Sequence, residues 1–366
     1  MENIKDICVI RKKVVTLRAQ VVVKNNDMHT PIRIKNNKSC LSHPWHPSVV
    51  YVQDGWNGFK FWMAQTPYPP YDIVPYADRY ELPCIHFSND GKEWHSIKAN
   101  PIDDLSEDMI NNHNYYSDPH LLLRGDIMEC YYRLSVSVDK YTHSSKTLLL
   151  KRYSGDGVNW SDSEIVADLR NEDDVYIWGE QIISQSIIWD GKCYKCWYVD
   201  RSGCLHGRKI SLTTSLDGKH WDKFNQCQIE NVNLDPWHID VQYYDNKYQM
   251  LVFDMHSLIW LESDDGITFT YVSNVLEPSR LFLDFYSEGL YRACSVKIKD
   301  EIFVYFSAKN EKRTSIGLLK TKNRLVFQHV DGISKIRYVV EYIFPILSYK
   351  KCKYLIKKWI KKILKL

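Results

Sequence analysis

The sequence has no run of about 20 uninterrupted apolar residues, so no segment reads as a membrane-spanning helix. No apolar stretch follows Met1-Glu2-Asn3-Ile4-Lys5-Asp6, so no secretory leader is expected. The ten Cys lie at 8, 40, 84, 130, 193, 196, 204, 227, 294 and 352, without the spacing of a disulfide framework. Together these absences lead to the expectation of free thiols in a reducing cytoplasm. There is no glycine-rich phosphate loop and no His-Glu-x-x-His zinc motif. No Pro- or Ser-rich linker divides the chain, which reads as one large domain and a tail.

Acid is missing from one place in particular. Residues 350–366 hold eight Lys and no Asp or Glu, so a net charge of +3 for the whole chain leaves −5 for the rest. A nucleic-acid binder should carry its basic surface on the fold itself, so this distribution argues against a nucleic-acid partner. It suits a soluble body tethered to an anionic surface.

What is abundant is aromatic: 12 Trp, 25 Tyr and 12 Phe, within an apolar fraction of 44% that is enough for a large core. Such rings either suit strands or stack on sugar faces. One short pattern recurs: Ser88-Asn89-Asp90-Gly91-Lys92-Glu93-Trp94, Ser154-Gly155-Asp156-Gly157-Val158-Asn159-Trp160, Ser215-Leu216-Asp217-Gly218-Lys219-His220-Trp221 and Ser263-Asp264-Asp265-Gly266-Ile267-Thr268-Phe269. Asp-Gly favours a tight turn because Gly takes positive φ cheaply, and the Ser and Asp can bond turn amides. The pattern resembles the Asp-box of sialidases with a spacing one residue tighter. Its Asp residues are therefore read as structural.

A strand pair accompanies each turn. Pro47–Tyr51 precedes Phe59–Met63, Pro119–Leu123 precedes Cys130–Tyr132, and Ser186–Trp189 precedes Tyr194–Tyr198. Asp240–Tyr244 then precedes Tyr248–Val252, and Cys294–Ile298 precedes Ile302–Phe306. Five units of roughly 58 residues, each long enough for four strands, predict an all-β fold: a five-bladed β-propeller over 43–335. Residues 1–42 form an N-terminal segment whose β-rich run Val14–Val23 is a candidate ring-closing strand.

In a propeller the innermost strands line a channel, and polar residues just before them are the natural site candidates. The candidate catalytic acids are Asp118, Asp240, Glu81 and Glu180. The candidate substrate-binding residues are His43, His46, Arg133, Gln185, Trp237, His238, Tyr291 and Arg292. Glycoside cleavage needs two carboxyl groups flanking the bond, one protonated and one ionised. Asp118 with Asp240 or Glu81 meets the residue requirement, while Arg292 would hold a carboxylate ionised or bind an anionic sugar. Cys193-x-x-Cys196 has a zinc-like spacing, but residues three apart on a strand point to opposite faces, so both are read as packing residues.

These contexts resemble the five-bladed furanosidase-type glycosidases, the superfamily of glycoside hydrolase families 43 and 32. Asp118-Pro119 is similar to that family's second-blade Asp, which steers substrate and tunes the acid. The stretch from Ser42-His43-Pro44 through Trp62-Met63-Ala64-Gln65-Thr66-Pro67-Tyr68-Pro69 looks like related bacterial propellers. The resemblance implies a carbohydrate substrate. It implies no obligate cofactor: related propellers sometimes hold a divalent ion in the channel, but no residue spacing here demands a metal. The chain departs from the family where blade one should open with an Asp, since His46-Pro47 stands there. At the third-blade acid it offers Gln185, with Glu180 five residues earlier.

From Ile346 apolar pairs alternate with Lys pairs. Leu355, Ile356, Trp359, Ile360 and Ile363 share one face, opposite Lys357, Lys358, Lys361, Lys362 and Lys365. Residues 346–366 therefore predict a C-terminal basic amphipathic α-helix lying in an anionic membrane interface, through Lys357, Lys358, Trp359, Lys361 and Lys362. The leading expectation is a glycoside hydrolase-like enzyme, cytoplasmic and peripheral on the inner face of the plasma membrane, acting on a glycan or lipid-linked surface polysaccharide. The alternatives are a glycosyltransferase or transglycosylase of O-antigen or capsule biosynthesis on the same fold, and a non-catalytic glycan-binding propeller.

Overall fold

The computed structural model describes residues 28–35, 43–68, 81–139, 144–201, 207–310 and 313–343. The predicted C-terminal helix and the run Val14–Val23 lie outside these residues. The chain builds five consecutive antiparallel sheets. Blade one comprises Ser48–Trp56, Phe59–Gln65, Cys84–Ser88 and Glu93–Ser96. Blade two comprises Tyr115–Arg124, Ile127–Asp139, Ser144–Ser154 and Glu164–Asp168. Blade three comprises Ile182–Trp189, Tyr194–Asp200, Lys209–Ser215 and Asn225–Gln226. Blade four comprises His238–Tyr244, Lys247–Asp254, Ser257–Ser263 and Thr268–Leu276. Blade five comprises Gly289–Ile298, Glu301–Asn310, Arg313–Thr321 and Gln328–His329. The first strands touch in the circular order one to five and back to one, which makes the five-bladed propeller expected from the repeats.

Two blades gain a fifth, parallel outer strand: Arg33–Lys35 pairs with Glu93–Ser96, and Gln228–Glu230 pairs with Thr268–Leu276. The first of these lies at the seam of the ring. Ile32 N–H donates to the Ile316 carbonyl of blade five at 2.9 Å, and Arg33 N–H donates to Lys92 O of blade one at 2.9 Å. Thr30 Oγ1 donates to Ile333 O at 2.7 Å. The segment thus spans blades five and one.

Five apolar clusters fill the five wedges between neighbouring sheets. Twisted sheets that splay outward leave wide gaps, and large rings fill them. Among the described residues eight of eleven Trp are buried, Trp62, Trp94, Trp197 and Trp260 among them. Most of the aromatic excess is therefore structural.

The recurring turn sits between the third and fourth strands of each blade. The Ser hydroxyl accepts the Gly N–H at 3.0, 2.9, 2.9 and 2.9 Å in blades one to four. The Asp Oδ1 accepts the N–H groups two and three residues on, as Asp90 does from Lys92 and Glu93 at 2.8 Å. Several turns also bolt onto the preceding blade. Trp197 Nε1 donates to Gly266 O at 2.7 Å, and Tyr305 O–H donates to Gly91 O at 3.1 Å. A Cβ on Gly157 (φ +76°) would lie 2.3 Å from the Trp62 ring, so the close approach itself requires Gly there. Blade five has a fifth copy that the Asp-Gly signature does not reveal. Thr321 Oγ1 accepts from Arg324 N–H at 3.0 Å, and Asn323 Oδ1 accepts from Leu325 and Val326 N–H at 3.0 and 3.1 Å. Arg324, at φ +61°, occupies the Gly position.

A ring of stitches joins the inner strands. Ser48 Oγ accepts Leu121 N–H at 2.9 Å, His120 Nε2 meets the Ile187 peptide at 3.0 Å from its N and 2.7 Å from its O, and Ser186 Oγ accepts Val241 N–H at 2.8 Å. Asp240 Oδ2 accepts Ser295 N–H at 3.0 Å, and Cys294 Sγ accepts Val49 N–H. Each acceptor precedes by one residue the donor offered to the blade before it, so the five stitches close a circle. Ser48, His120, Ser186, Asp240 and Cys294 are equivalent positions of the five blades.

Candidate active site

Two residues before each stitch stand His46, Asp118, Ser184, His238 and Arg292. This second rung forms the centre at the channel mouth. Three of its members have backbone in the left-handed region: His46 (φ +51°), Asp118 (φ +53°) and Ser184 (φ +53°). The pairing register slips at Ser117/His120, Ile183/Ser186 and Leu290/Ala293, so the inner strands of blades two, three and five bulge at this level. Bulges re-aim side chains, and positive φ in non-Gly residues stores strain that the surrounding fold must hold.

Asp118 is the hub. Its Oδ2 accepts from Arg133 Nε at 3.1 Å and from Ser184 N–H at 3.1 Å. Its Oδ1 has no hydrogen-bond partner and faces His238 Nδ1 at 3.5 Å, Arg292 Nη1 at 3.8 Å and His46 Nε2 at 4.0 Å. Burial opposes ionisation of Asp118, but Arg133 first, then His238, His46 and Arg292, outweigh burial and hold the carboxyl well below the usual carboxylate range. Burial keeps both histidines neutral: His46 is lowered well below its ordinary value and His238 falls to about 3.

His46 is held from three sides. Its N–H donates to Ser307 Oγ at 3.0 Å, its Nδ1 lies 2.6 Å from Thr66 Oγ1, and the same nitrogen lies 4.0 Å from Glu81 Oε2. A hydrogen bond from Nδ1 to Thr66 leaves the Nε2 lone pair facing Asp118. Tyr68 O–H donates to Glu81 Oε1. Burial raises Glu81 to about 7, against hydrogen bonds from Ser117 and Tyr68 that favour its ionised form.

The ligand atoms of His46, Asp118 and His238 all lie within 4.8 Å of one another. His46 Nε2, Asp118 Oδ1 and both nitrogens of His238 lack hydrogen-bond partners although buried. Buried polar groups that converge without hydrogen bonds are costly unless a bound group joins them, and His/His/carboxylate is a donor set suited to a divalent metal. A polar and aromatic wall flanks the group. Tyr291 stacks on Trp45 (centroids 5.0 Å, 19°), and Trp237 Nε1 donates to Tyr291 O–H at 2.6 Å. Trp45, Tyr68 and Tyr291 also line a cleft of about 520 Å³ that runs over blades four and five.

Of the residues nominated from sequence, Asp118, His46, His238, Arg292, Arg133, Glu81, Tyr291 and Trp237 converge here. Gln185 supports the centre through the backbone: its side-chain amide donates to Asp118 O, and its carbonyl accepts from Arg292 Nη2 at 3.2 Å. Ser184, its neighbour, holds the blade-three rung. His43 pairs its backbone with Tyr68, which brings the Tyr68 phenol to Glu81. Asp240 lies one rung deeper as the blade-four stitch, raised to about 6 by burial against the Ser295 N–H. Glu180 is exposed and enters none of these contacts. Cys196 is buried between blades two and three, and Cys193 sits beside Asp190. Lys357, Lys358, Trp359, Lys361 and Lys362 lie outside the described residues. The sequence signal missed Thr66, Tyr68, Ser117, Ser184 and Ser307. Counting two residues back from the stitches would have found Ser184, and Ser117 is the neighbour of Asp118 on the blade-two inner strand, whereas the others arrive through loops or other strands.

No family model matches the chain. Among solved structures it is similar to an N-acetylgalactosamine deacetylase from F. plautii in complex with blood group B trisaccharide. The TM-score is 0.64 at 19% identity, over 80% of this chain and 94% of the other. It is also similar to a family 117 glycoside hydrolase from Zobellia galactanivorans, with TM-score 0.54 and 15% identity over 81% and 90% of the two chains. The fold is that of the five-bladed glycoside hydrolase propellers. In sequence, 236 residues are 27% identical to an A type blood N-acetyl-α-D-galactosamine deacetylase of Flavonifractor plautii, covering 54% of this chain. The match takes in 29% of that relative's length.

Proposed function

We propose that the protein is a carbohydrate-active hydrolase that removes an N-acyl group from a sugar, with a divalent metal ion held by His46, Asp118 and His238. The carrying observation is the convergence of these three buried, unpartnered ligand groups at one channel mouth. The similarity to a protein named as an acetamido-sugar deacetylase supports the reading. A metal ion there would act as a Lewis acid on the amide carbonyl. The remaining chemistry belongs to the side chains. Glu81, oriented by Tyr68, has an unpartnered Oε2 with which to take a proton from water and return it to the leaving amine. Arg292 Nη1, 3.8 Å from Asp118 Oδ1 and without a hydrogen bond, offers a donor to a developing oxyanion. The Trp45–Tyr291 stack gives a flat apolar wall for a pyranose ring.

Glycosidic cleavage between Glu81 and Asp118 is the second reading, since their environments push the two carboxyls apart in acidity. The His46 ring disfavours it: it stands between the pair, 4.0 Å from each, where the scissile bond would have to lie. The deciding experiment supplies acetamido-sugar oligosaccharides and measures released acetate and released reducing sugar separately. Acetate release that chelation abolishes, metal restores and His238→Ala eliminates is expected. Reducing sugar without acetate, indifferent to chelation, would replace this reading with the two-carboxylate one.

A further inference from the structure

We infer that the outer edge of blade five, beside the channel mouth, is a docking surface for an anionic lipid bilayer. Two neighbouring segments present large apolar side chains to solvent there. The loop that leads from blade four into Gly289–Ile298 exposes Leu281 (37%) and Phe282 (59%). The terminal helical segment, Lys335–Tyr338 continued by the π-helical turn Val339–Ile343, exposes Ile336 (62%) and Val340 (53%), one turn apart on a single face. Its opposite face buries Tyr338, Val339 and Ile343 in the apolar cluster between blades four and five. Tyr338 O–H donates to Leu283 O at 2.8 Å and so ties the helix to the loop. Asn310 Nδ2 donates to the carbonyls of Phe282 and Asp284, which fixes the loop on blade five. The exposed residues thus sit on anchored backbone. An apolar side chain on rigid backbone at a protein's edge is suited to insertion between lipid headgroups.

The chemistry of the occupant follows from what borders the patch. Arg280 and Lys335 flank it, as does Arg337, which pairs with Glu341 at 2.7 Å. The chain leaves the patch at Ile343 and continues for 23 residues, the last 17 of which hold eight Lys and no acid. Apolar residues beside concentrated positive charge match a surface with an apolar interior and negative headgroups. The same loop contributes Pro278, Ser287 and Glu288 to the wall of the 520 Å³ cleft. A bilayer seated on Phe282 and Ile336 therefore brings the cleft to the lipid surface. Taken with the proposed function, on which this last step rests, the substrate class is a glycan carried on a lipid or displayed at a membrane surface.

The test uses the full chain and vesicles of phosphatidylcholine, alone or mixed with phosphatidylglycerol. Co-sedimentation with the mixed vesicles only, lost at high salt, is expected. The double variant Phe282→Asp/Ile336→Asp should bind the mixed vesicles at least tenfold more weakly while releasing acetate from a soluble acetamido-sugar oligosaccharide at the wild-type rate. That rate is read separately, so failure of the docking surface and failure of the hydrolase assignment are distinguishable. Three results would overturn the inference: no binding of the wild type to the mixed vesicles, wild-type binding by the double variant, or lipid-free hydrogen-exchange protection of 335–343 that vanishes when residues 344–366 are removed. The last would mean that the chain's own tail covers the patch.

Discussion

His238 Nδ1 lies 3.5 Å from Asp118 Oδ1, and neither atom has a hydrogen-bond partner. The two residues come from equivalent rungs of blades four and two, across the channel from one another. Asp118 also neutralises two buried guanidiniums, so its charge carries both the site and the fold around it. Asp118→Asn would leave Arg133 and Arg292 without their shared carboxylate. A loss of about 3–5 kcal/mol in urea unfolding is expected, together with loss of bound metal by elemental analysis. Unchanged stability would show that the two arginines find compensation elsewhere.

Asp240→Asn should behave differently. The acceptor that stitches Ser295 N–H survives in the amide oxygen, and burial already favours the neutral form of this carboxyl. Activity within about threefold of wild type is expected, because the change spares the charge at the rung above. A loss of two orders of magnitude would place Asp240 among the reacting groups.

His86 provides a stability prediction of known sign. It is fully buried in Cys84–Ser88, and burial lowers it from 6.5 to about 3. In the unfolded chain it takes up a proton below about pH 6.5, whereas in the fold it resists, so stability is full above that pH and declines on acidification. From this residue alone the decline reaches about 2 kcal/mol by pH 5. His86→Gln should reduce the slope of unfolding free energy against pH between 6.5 and 5. Parallel slopes for the two proteins would refute the assignment.

The fifth turn offers a gain. Arg324 sits at φ +61°, where a non-Gly residue costs on the order of 1–2 kcal/mol. Its guanidinium makes one half-exposed contact with Asp245, a class worth little. Arg324→Gly should raise the urea midpoint by the equivalent of about 0.5–1 kcal/mol, after the extra chain entropy of Gly. A lowered midpoint would mean that the Arg side chain does more at the blade-four seam than its contacts indicate.

The sequence by itself determined the blades and the turns. Those signals are local: an Asp-Gly turn and a strand pair each satisfy their own backbone within a few residues, so they are legible wherever they recur. The fifth turn carries no Asp-Gly pair and so lacks that signal. Asn323 and Arg324 make the same bonds at a higher conformational cost. Tertiary structure alone decided which polar residues matter. Asp118 and Asp240 look alike along the chain, but a two-residue offset puts one in the unpartnered centre and the other in the stitch ring. Glu81 and Thr66 reach His46 from outside any inner strand, and Ser184 displaced Gln185 through a bulge. His46 stood out in the sequence as a departure from the family pattern. In three dimensions its Nε2 faces Asp118 Oδ1 at 4.0 Å beside His238, because only closure of the ring brings blades one, two and four to a common point.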